Sequence, residues 1–326
     1  MAALHPEGLA HLMARFLMIR TSLIAVTLFV VSLAIFAVTE ILPGDAAVMS
    51  LRQGATESNL KAKRAELGLD RSPVVRYAEW IGGVARGDLG DSLIRKKPIT
   101  EVIGGRIGNS LILAVLTFAV SVPSAVIAGI WAGLKRDSWG DHTMSVGSLV
   151  AISLPEFVTG ILLMVIFSTT LHLLPSSSFI FPGTNPITSP SILVLPVLTL
   201  TGVLFAYVMR MTRANVIEVM ETHYVRTAIL KGMPMRRVLI RHVVPNAMLP
   251  TISIIAMNLG WMLGGLIIVE NVFSYPGLGR LLLESIDSRD VPLLQALSLL
   301  IAVTYAISNL VADLSYGILN PRIRLA

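Results

Sequence analysis

The amino-acid sequence predicts an all-α polytopic membrane protein with six transmembrane helices. Hydrophobic residues make up 54% of the 326 residues and charged residues only 14%, whereas a soluble domain carries about 25% charged residues. Six apolar stretches are long enough to cross a bilayer as helices, which takes roughly 20 residues. Between the fourth and the fifth stretch lies a polar, basic and helix-prone insert over residues 210–248.

The six apolar stretches are expected to be helical, because backbone N–H and C=O groups cannot stay unpaired in lipid. The third is broken by the pair Pro155-Glu156, and the fourth contains Pro196. The first is long enough to span, so we interpret it as a retained helix rather than a cleaved signal peptide. The stretches cover residues 16–38, 109–134, 144–171, 192–209, 249–269 and 293–311.

The distribution of Lys and Arg predicts that both termini lie in the cytoplasm, because cytoplasmic loops carry the excess of basic residues. With this orientation the two short outer loops hold only Arg280 and Arg289. The long segment over residues 39–108 lies outside and does not count, since long loops translocate largely regardless of charge. The basic residues on the cytoplasmic side are Arg15, Arg20, Lys135, Arg136, Arg210, Arg213, Arg226, Lys231, Arg236, Arg237, Arg241, Arg322 and Arg324.

Residues 39–108 form an outer segment that is too long to be a bare connection. Ser72 followed by Pro73 is typical of a helix start. Apolar residues then recur at helical spacing until Gly87, and residues 98–107 form a second short amphipathic stretch. We expect a small helical cap that rests partly on the membrane surface; the alternative is a poorly ordered loop. The apolar positions are Val74, Tyr77, Ala78, Ile81 and Val84, and the segment opens with the turn signal Pro43-Gly44-Asp45.

The insert over residues 210–248 is interrupted by Gly232 and Pro234, which predicts a helix, a turn and a second helix. One interpretation of its basic residues is that they only follow the charge rule for cytoplasmic loops. The other is that a water-exposed helix between two apolar spans is a surface gripped by a second protein.

The order of residues in this insert resembles a known family. Residues 224–232 read Tyr-Val-Arg-Thr-Ala-Ile-Leu-Lys-Gly, and nine residues later 242–245 read His-Val-Val-Pro. This pattern is similar to the coupling motif of binding-protein-dependent ABC transporter permeases, in the form of the dipeptide, oligopeptide and nickel branch. Further segments that resemble this branch are Leu42-Pro43-Gly44-Asp45, residues 66–70, residues 86–92, residues 269–279 and residues 320–324.

The resemblance implies a short coupling helix that docks into a groove of a cytoplasmic ATPase. Gly232 is expected to provide a sharp turn, since glycine tolerates φ > 0. Ala228 is expected to let the partner surface approach closely, and the basic side chains to reach acidic or carbonyl groups of the ATPase. The implied coupling residues are Tyr224, Arg226, Thr227, Ala228, Lys231, Gly232, Arg236 and Arg237.

The same resemblance implies an importer of the bacterial cytoplasmic (inner) membrane. Its partners would be a homologous second permease, two ATPase subunits and an extracytoplasmic solute-binding protein. ATP and Mg would bind to the ATPases and no cofactor to this chain, which would form half of a pathway for peptides or related small solutes. Residues 1–108 would hold the first helix and the outer segment, and residues 109–326 the five-helix domain of type I ABC importers.

Two polar residues fall inside predicted spans. A carboxylate at the centre of a membrane helix costs about 2.5–3.5 kcal/mol on insertion scales and is expected to face the bundle interior or a watery cavity. Glu156 is therefore a candidate for the translocation path, where it would contact a cationic or amine-bearing substrate. The alternative is a structural contact with a hydroxyl or backbone group. Asn258, at mid-depth in the fifth span, is the second candidate for the path.

Two further groups are candidates for protein contacts. Gly260 and Gly264 form a Gly-x-x-x-Gly pair, which lets membrane helices pack backbone to backbone. We expect contact with the second permease there; packing within the chain is the alternative. Glu270 and a type II turn at Pro276-Gly277 are expected on the outer face, where the family meets its binding protein. The alternative is a simple connection between spans.

The sequence contains no catalytic constellation. It has no cysteines, which excludes disulfides and thiolate chemistry. Its six histidines are scattered without metal-ligand spacing, and it has no phosphate-binding loop. We therefore expect that the chain is not an enzyme and that ATP is hydrolysed by another subunit. The alternative function is a stand-alone secondary transporter or channel that uses Glu156 as a proton or ion site.

Overall fold

The computed structural model describes residues 6–41, 48, 56–66, 68–181 and 185–319, and this part of the chain is helical apart from turns, irregular loops and one isolated bridge between Asp91 and Pro98. The all-α prediction is confirmed. The predicted motifs at residues 42–45 and 320–324, and Leu67, lie outside the described residues. The helices are α1 (Pro6–Ile41), α2 (Glu57–Glu66), α3 (Pro73–Ala85), α4 (Ile99–Leu134), α5 (Trp139–Ser153), α6 (Glu156–Met164, continued as a π-helix over Val165–Thr170), α7 (Ser191–Met220), α8 (His223–Leu230), α9 (Met235–Val238, with a π-helix over Leu239–Val243), α10 (Val244–Val272), α11 (Leu278–Asp287) and α12 (Val291–Leu319).

Five helical segments are long and apolar enough to cross a membrane, and a bent pair makes six if it is one span. The pair joins α5 to α6 and its π-helical continuation, with a bend of 106° at the predicted break. Proline disfavours helical backbone in the residue before it, and Leu154, which precedes Pro155, is extended at φ −86° and ψ 129°. The five segments are Leu17–Ile41, Ile99–Leu134, Ser191–Met220, Met235–Val272 and Val291–Ser315.

Three helices extend further than the apolar stretches predicted. Residues 98–107 do not form a separate element, since α4 begins at Ile99 and continues through them. The fourth span continues to Met220 as α7, because residues 203–220 contain no glycine or proline that would end it. The helical segment that contains the fifth span begins at Met235. The polar insert therefore lengthens two helical segments beyond their apolar parts, and only α8 with its turn stands between them.

The chain forms two compact units, Met1–Gly108 with Gly277–Ala306, and Asn109–Pro276 with Ile307–Ala326. In the first unit α3 begins at the predicted N-cap, where Ser72 Oγ accepts a hydrogen bond from Val75 N at 3.5 Å. Gly87 follows the end of α3 with φ +83°. The predicted helix over this segment is confirmed.

The first unit also contains a tight loop over residues 91–98 that is held by Asp290. This residue is 1% exposed. Its carboxylate accepts hydrogen bonds from Leu93 N at 3.2 Å, from Ile94 N at 3.4 Å and from the Ser92 hydroxyl. Three donors satisfy the buried charge. The core of the unit consists of Ile99, Ile103, Leu281, Leu293, Ala296 and Leu297.

In the second unit α7 is the central helix and packs against α5, α6 and α10. Helix α4 also approaches it closely at two glycines. A Cβ on Gly129 would lie 2.6 Å from Met209 O, and a Cβ on Gly133 would lie 2.8 Å from the Val216 side chain. This glycine pair therefore serves packing within the chain. The main core of the unit consists of Leu113, Leu195, Leu200, Leu266, Phe273 and Tyr275 with their neighbours.

Candidate functional site

Helix α8 is a short amphipathic helix whose buried side fastens it to the second unit. Val225 is fully buried and Ala228 is 7% exposed, and both belong to a core cluster with Val216 of α7 and with Val238 and Val243. Ala228 therefore faces the core of its own chain and not a partner. This corrects the sequence interpretation of Ala228, because residues three apart on a helix share one face and Val225 takes the same face inward.

The opposite side of α8 is exposed. Tyr224 is 45% exposed and Leu230 is 80% exposed, and Arg226 and Thr227 are exposed beside them. Large apolar side chains in water next to a cation are typical of a protein interface, where aromatic residues and arginine are enriched.

The turn after α8 depends on Gly232, whose φ is +73°. Gly232 N donates to Ile229 O at 2.9 Å, and Met233 N donates to Ala228 O at 3.2 Å. These bonds satisfy carbonyls that the end of the helix leaves open. A Cβ at residue 232 would meet no atom within 4 Å, so glycine is required for its backbone conformation and not for space. The sharp turn expected from the sequence is present.

Four basic side chains surround this turn, and all four are exposed: Arg226, Lys231, Arg236 and Arg237. Among the residues that the structure describes, none of the four takes part in an ion pair. The surface therefore combines unneutralised positive charge with apolar side chains. We call it the basic rim; it consists of Tyr224, Arg226, Thr227, Leu230, Lys231, Gly232, Arg236 and Arg237.

An ion pair joins α5 to α7 one turn away from the residues that pack against α8. Arg213 Nη2 donates to Asp141 Oδ2 at 2.7 Å, and its Nε donates to Oδ1. Asp141 is 1% exposed and Arg213 is 27% exposed. Two parallel hydrogen bonds fix both side chains. From the sequence, Arg213 was predicted only to mark the cytoplasmic side, and no role was predicted for Asp141. The position of Asp141, an acidic residue in the first turn of an apolar helix, is the signal that could have identified it.

Glu156 lies directly after the bend, as the first residue of α6. It is partly buried and rests against α10, where a Cβ on Gly265 would lie 2.6 Å from Oε1 and 2.7 Å from Oε2. Within the described residues we find no hydrogen bond or ion pair to this carboxylate. Burying a charge without a partner costs free energy, so binding of a cation or a hydrogen-bond donor to this carboxylate would be favourable. The sequence does not single out Gly265, because its contact with Glu156 depends on the packing of α6 against α10.

The other candidate residues on α10 have different environments. Asn258 is partly buried, and its Nδ2 donates to Ile254 O of the same helix at 2.8 Å. Gly260 is buried, whereas Gly264 is exposed and has no atom within 4 Å of an added Cβ. Contact of the glycine pair with a second permease stays a prediction, and it is Gly264 that is free to make one.

Glu270, Pro276 and Gly277 are all buried, which corrects their interpretation as exposed contacts of a binding protein. Ser110 Oγ donates to Glu270 Oε1 at 2.5 Å, and Asn109 Nδ2 donates to Pro276 O at 2.9 Å. The type II turn is wrong as well, because it requires φ > 0 at Gly277 and that residue has φ −105° as the N-cap of α11. These polar groups are used inside the chain, as in the alternative of a simple connection.

Tyr275 completes this buried polar group. Its hydroxyl donates to Asn109 O at 2.8 Å, and its backbone N donates to Glu270 O at 2.8 Å. Burial, and then the charge of Glu270, raise the pKa of Tyr275 well above its ordinary value, so it stays a hydroxyl donor. Sequence analysis missed Tyr275 and Asn109 because they lie 166 positions apart.

Five or six candidate spans, with the exposed basic rim at α8 and the turn that follows it, define the class of the protein as a multi-pass membrane protein. Residues 125–325 match the family described as the inner membrane component of binding-protein-dependent transport systems, and residues 13–114 match its N-terminal membrane-component family. The chain belongs to this family of transport-system membrane components.

Similar proteins cover nearly the whole chain. A putative peptide transport system permease protein of Brucella abortus (strain 2308) is 33% identical over 297 residues, which is 91% of this chain and 95% of the relative. The glutathione transport system permease protein of Escherichia coli O6:H1 is 36% identical over 298 residues, with the same two coverages. The predicted resemblance is confirmed.

The chain is therefore the permease subunit of an ABC importer, in the inner membrane and with several spans. The family is the membrane component of a system that also contains a binding protein and ATPases, so the prediction that this subunit is not the enzyme is confirmed. Membership also decides against the alternative of a stand-alone secondary transporter or channel.

Proposed function

We propose that this permease takes up peptides or related small solutes, glutathione among them. The support is that relatives covering 91% of the chain bear the names of peptide and glutathione permeases. It would pair with a homologous second permease and receive solute from an extracytoplasmic binding protein. Two ATPase subunits would bind ATP and Mg, and this chain would bind no cofactor.

We propose that α8 is the coupling helix, and the basic rim is the observation that carries this proposal. The rim offers exposed cations to acidic or carbonyl groups of an ATPase, with Tyr224 and Leu230 as apolar anchors. The buried face of α8 packs with Val216 of α7. A pull on α8 would therefore move α7, the central helix of the second unit, and shift the permease between inward-open and outward-open states.

The orientation follows from the same assignment. The basic rim and both termini would lie in the cytoplasm, and the segment after α1 with α2 and α3 would lie outside. We propose that the chain consists of two evolutionary units, an N-terminal part over residues 1–108 and a five-helix importer domain over residues 109–326. The compact units of the structure divide the chain differently, because residues 277–306 pack with the N-terminal part.

Glu156 and Asn258 are our candidates for the translocation path. Glu156 is the stronger one, since its carboxylate has no partner among the described residues while the Asn258 amide already bonds its own helix. The amine or guanidinium group of a transported peptide could form a charge-assisted hydrogen bond with this carboxylate.

The coupling proposal is tested on the assembled transporter. The double variant Arg226→Ala/Lys231→Ala is expected to lose co-purifying ATPase and ATP-driven uptake, while the permease still inserts. Arg241→Ala is the matched control, an exposed basic residue of the same region outside the rim. If the double variant still co-purifies with a full amount of ATPase and shows normal uptake, the proposal is wrong.

The orientation has a separate test, which uses the absence of cysteines from the chain. Thr227→Cys, exposed on α8, is expected to react with a membrane-impermeant maleimide only from the cytoplasmic side. Ser58→Cys, exposed on α2, is expected to react only from the other side. The reverse pattern would overturn the orientation and with it the coupling role.

A further inference from the structure

Helix α3 carries apolar side chains that nothing in the described part of the chain covers. Val74 is 77% exposed and Val75 is 45% exposed, and Ala78 on the same side is exposed as well. The other side of the helix carries Tyr77 and Trp80. An apolar helix face that is left exposed to water indicates that a further surface covers it in the functional protein.

The place where α3 packs identifies that surface. The Tyr77 and Ser32 hydroxyls are 2.8 Å apart, and Phe36 contacts the rings of Tyr77 and Trp80 at centroid distances of 5.5 and 6.2 Å. Ser32 and Phe36 are not in a loop. Both belong to the first candidate span, Leu17–Ile41.

The contact lies well inside the span. Ser32 is nine residues before Ile41, which is roughly 13 Å along a helix axis. A 25-residue span exceeds a hydrocarbon core of about 30 Å by only a few ångströms at each end. With Leu17–Ile41 centred in the bilayer, the Tyr77 hydroxyl is below the headgroups, and Val74 and Val75 follow one turn or less away along α3.

We propose that α3 is an interfacial helix, and that Val74 and Val75 insert into the boundary between lipid headgroups and acyl chains. The lipid surface is the occupant because α3 packs on Ser32 and Phe36 of α1, a candidate membrane span of which only 6% of the apolar window is buried within the protein. Interfacial helices place an apolar face a few ångströms into this boundary. Tyr77 and Trp80 are the residue types that line it.

The charged contacts agree with this depth. Arg76 pairs with Glu40, one residue before the end of the span. Arg71 and Glu79, both exposed, pair with each other at 2.7 Å. Arginine can keep its stem along apolar surface while its charged end reaches the headgroup level. The proposal requires only that α1 spans the membrane. It does not depend on the orientation, the substrate or the coupling role.

The test is fluorescence quenching on the assembled transporter in lipid nanodiscs. In a transporter whose other subunits carry no cysteine, Val74→Cys gives a single labelling site, because this chain has no cysteine of its own, and a bimane label there reports its surroundings. Lipids with a nitroxide on an acyl carbon near the headgroup are expected to quench the fluorescence of a bimane at position 74 at least about threefold more than that of a bimane at position 58. This is the result expected for a helix at the boundary between headgroups and acyl chains. Aqueous iodide is expected to show the reverse order.

Ser58→Cys is the matched control, since it is exposed on the polar helix α2. Val75→Cys is a second reporter and is expected to give the pattern of position 74. If iodide reaches 74 and 75 as readily as 58, α3 lies in water and the proposal is overturned. If both positions resist iodide without quenching by nitroxide lipid, a protein covers the helix, which overturns the lipid assignment too.

Discussion

The Glu156 carboxylate lies against the backbone of α10 at Gly265. A Cβ at residue 265 would come within 2.6 Å of Oε1 and 2.7 Å of Oε2. The atoms that would collide are the far end of a flexible side chain, so a methyl group at 265 would displace the carboxylate and leave the helices in place. Gly264, the neighbouring residue, has open space for a Cβ. The two glycines therefore form a natural pair of probe and control.

Gly265→Ala is expected to change the KM for uptake of cationic peptides by about 3- to 10-fold, equivalent to roughly 0.7–1.4 kcal/mol, because it shifts the carboxylate that we propose receives them. Neutral peptides should change less. The measurement is uptake by reconstituted transporter at varied peptide concentration.

Two comparisons make this result specific. Gly264→Ala should leave the preference for cationic over neutral peptides unchanged, since its predicted contact with a second permease would affect both kinds of solute alike. In a Glu156→Gln background Gly265→Ala should lose most of its effect, since contacting residues are not additive. An effect of equal size in both backgrounds would mean that Gly265 acts by another route.

Glu156→Gln removes the charge and keeps the shape. We expect weaker uptake of amine-bearing solutes with a normal amount of protein in the membrane, because the structure shows no partner in the described residues that the charge stabilises. Uptake and abundance are measured on the same vesicles. Parallel loss of both would assign Glu156 a structural role.

Gly232→Val is expected to abolish uptake while the permease still inserts and assembles. A branched residue at φ +73° is strained by roughly 1–2 kcal/mol, and the turn that presents the basic rim would rearrange. Gly232→Asn is the control, because asparagine tolerates the left-handed region, and it should retain most of the uptake. Normal uptake and substrate-stimulated ATPase activity in the valine variant would contradict the role of the turn.

Asp141→Asn breaks the pair with Arg213 and is expected to destabilise the permease by about 1–3 kcal/mol. Removing one partner of a fully buried pair costs about 3–5 kcal/mol, and the 27% exposure of Arg213 reduces this. Thermal unfolding in detergent gives the measurement. Glu221→Gln, which breaks the exposed pair with Arg136 at 2.9 Å, should change stability by less than about 1 kcal/mol; an equal effect would refute the importance of burial.

Tyr275→Phe is expected to cost about 1 kcal/mol of stability, because Asn109 O loses its hydroxyl donor. The folded state raises the pKa of Tyr275, so its contribution is fully present below the unfolded pKa near 10 and is lost as the pH rises through the folded pKa. The stability difference between the natural protein and the variant should therefore shrink above about pH 10. A pH-independent difference would show that the hydroxyl is not what matters.

Local signals made much of the fold predictable. Apolar run length located the spans, Ser72 and Pro73 located the start of α3, and Gly232 located the sharp turn. The order of residues around that turn identified the family. Polar composition does not mark a helix boundary in this chain, since the polar start of α4 and the polar end of α7 continue the apolar helices next to them.

Helicity, the approximate number of spans and membership in a permease family are predictable from the sequence, because hydrophobicity, helical period and turn chemistry act between neighbours along the chain. Which face of α8 is available and which polar groups meet depend on how the helices pack. Ala228 turned inward, the Glu270 carboxylate met Ser110 across 160 positions, and Arg213 met Asp141 across 72. No period or spacing links such residues; they are brought together by the packing of whole helices, where each buried charge or donor must find its partner.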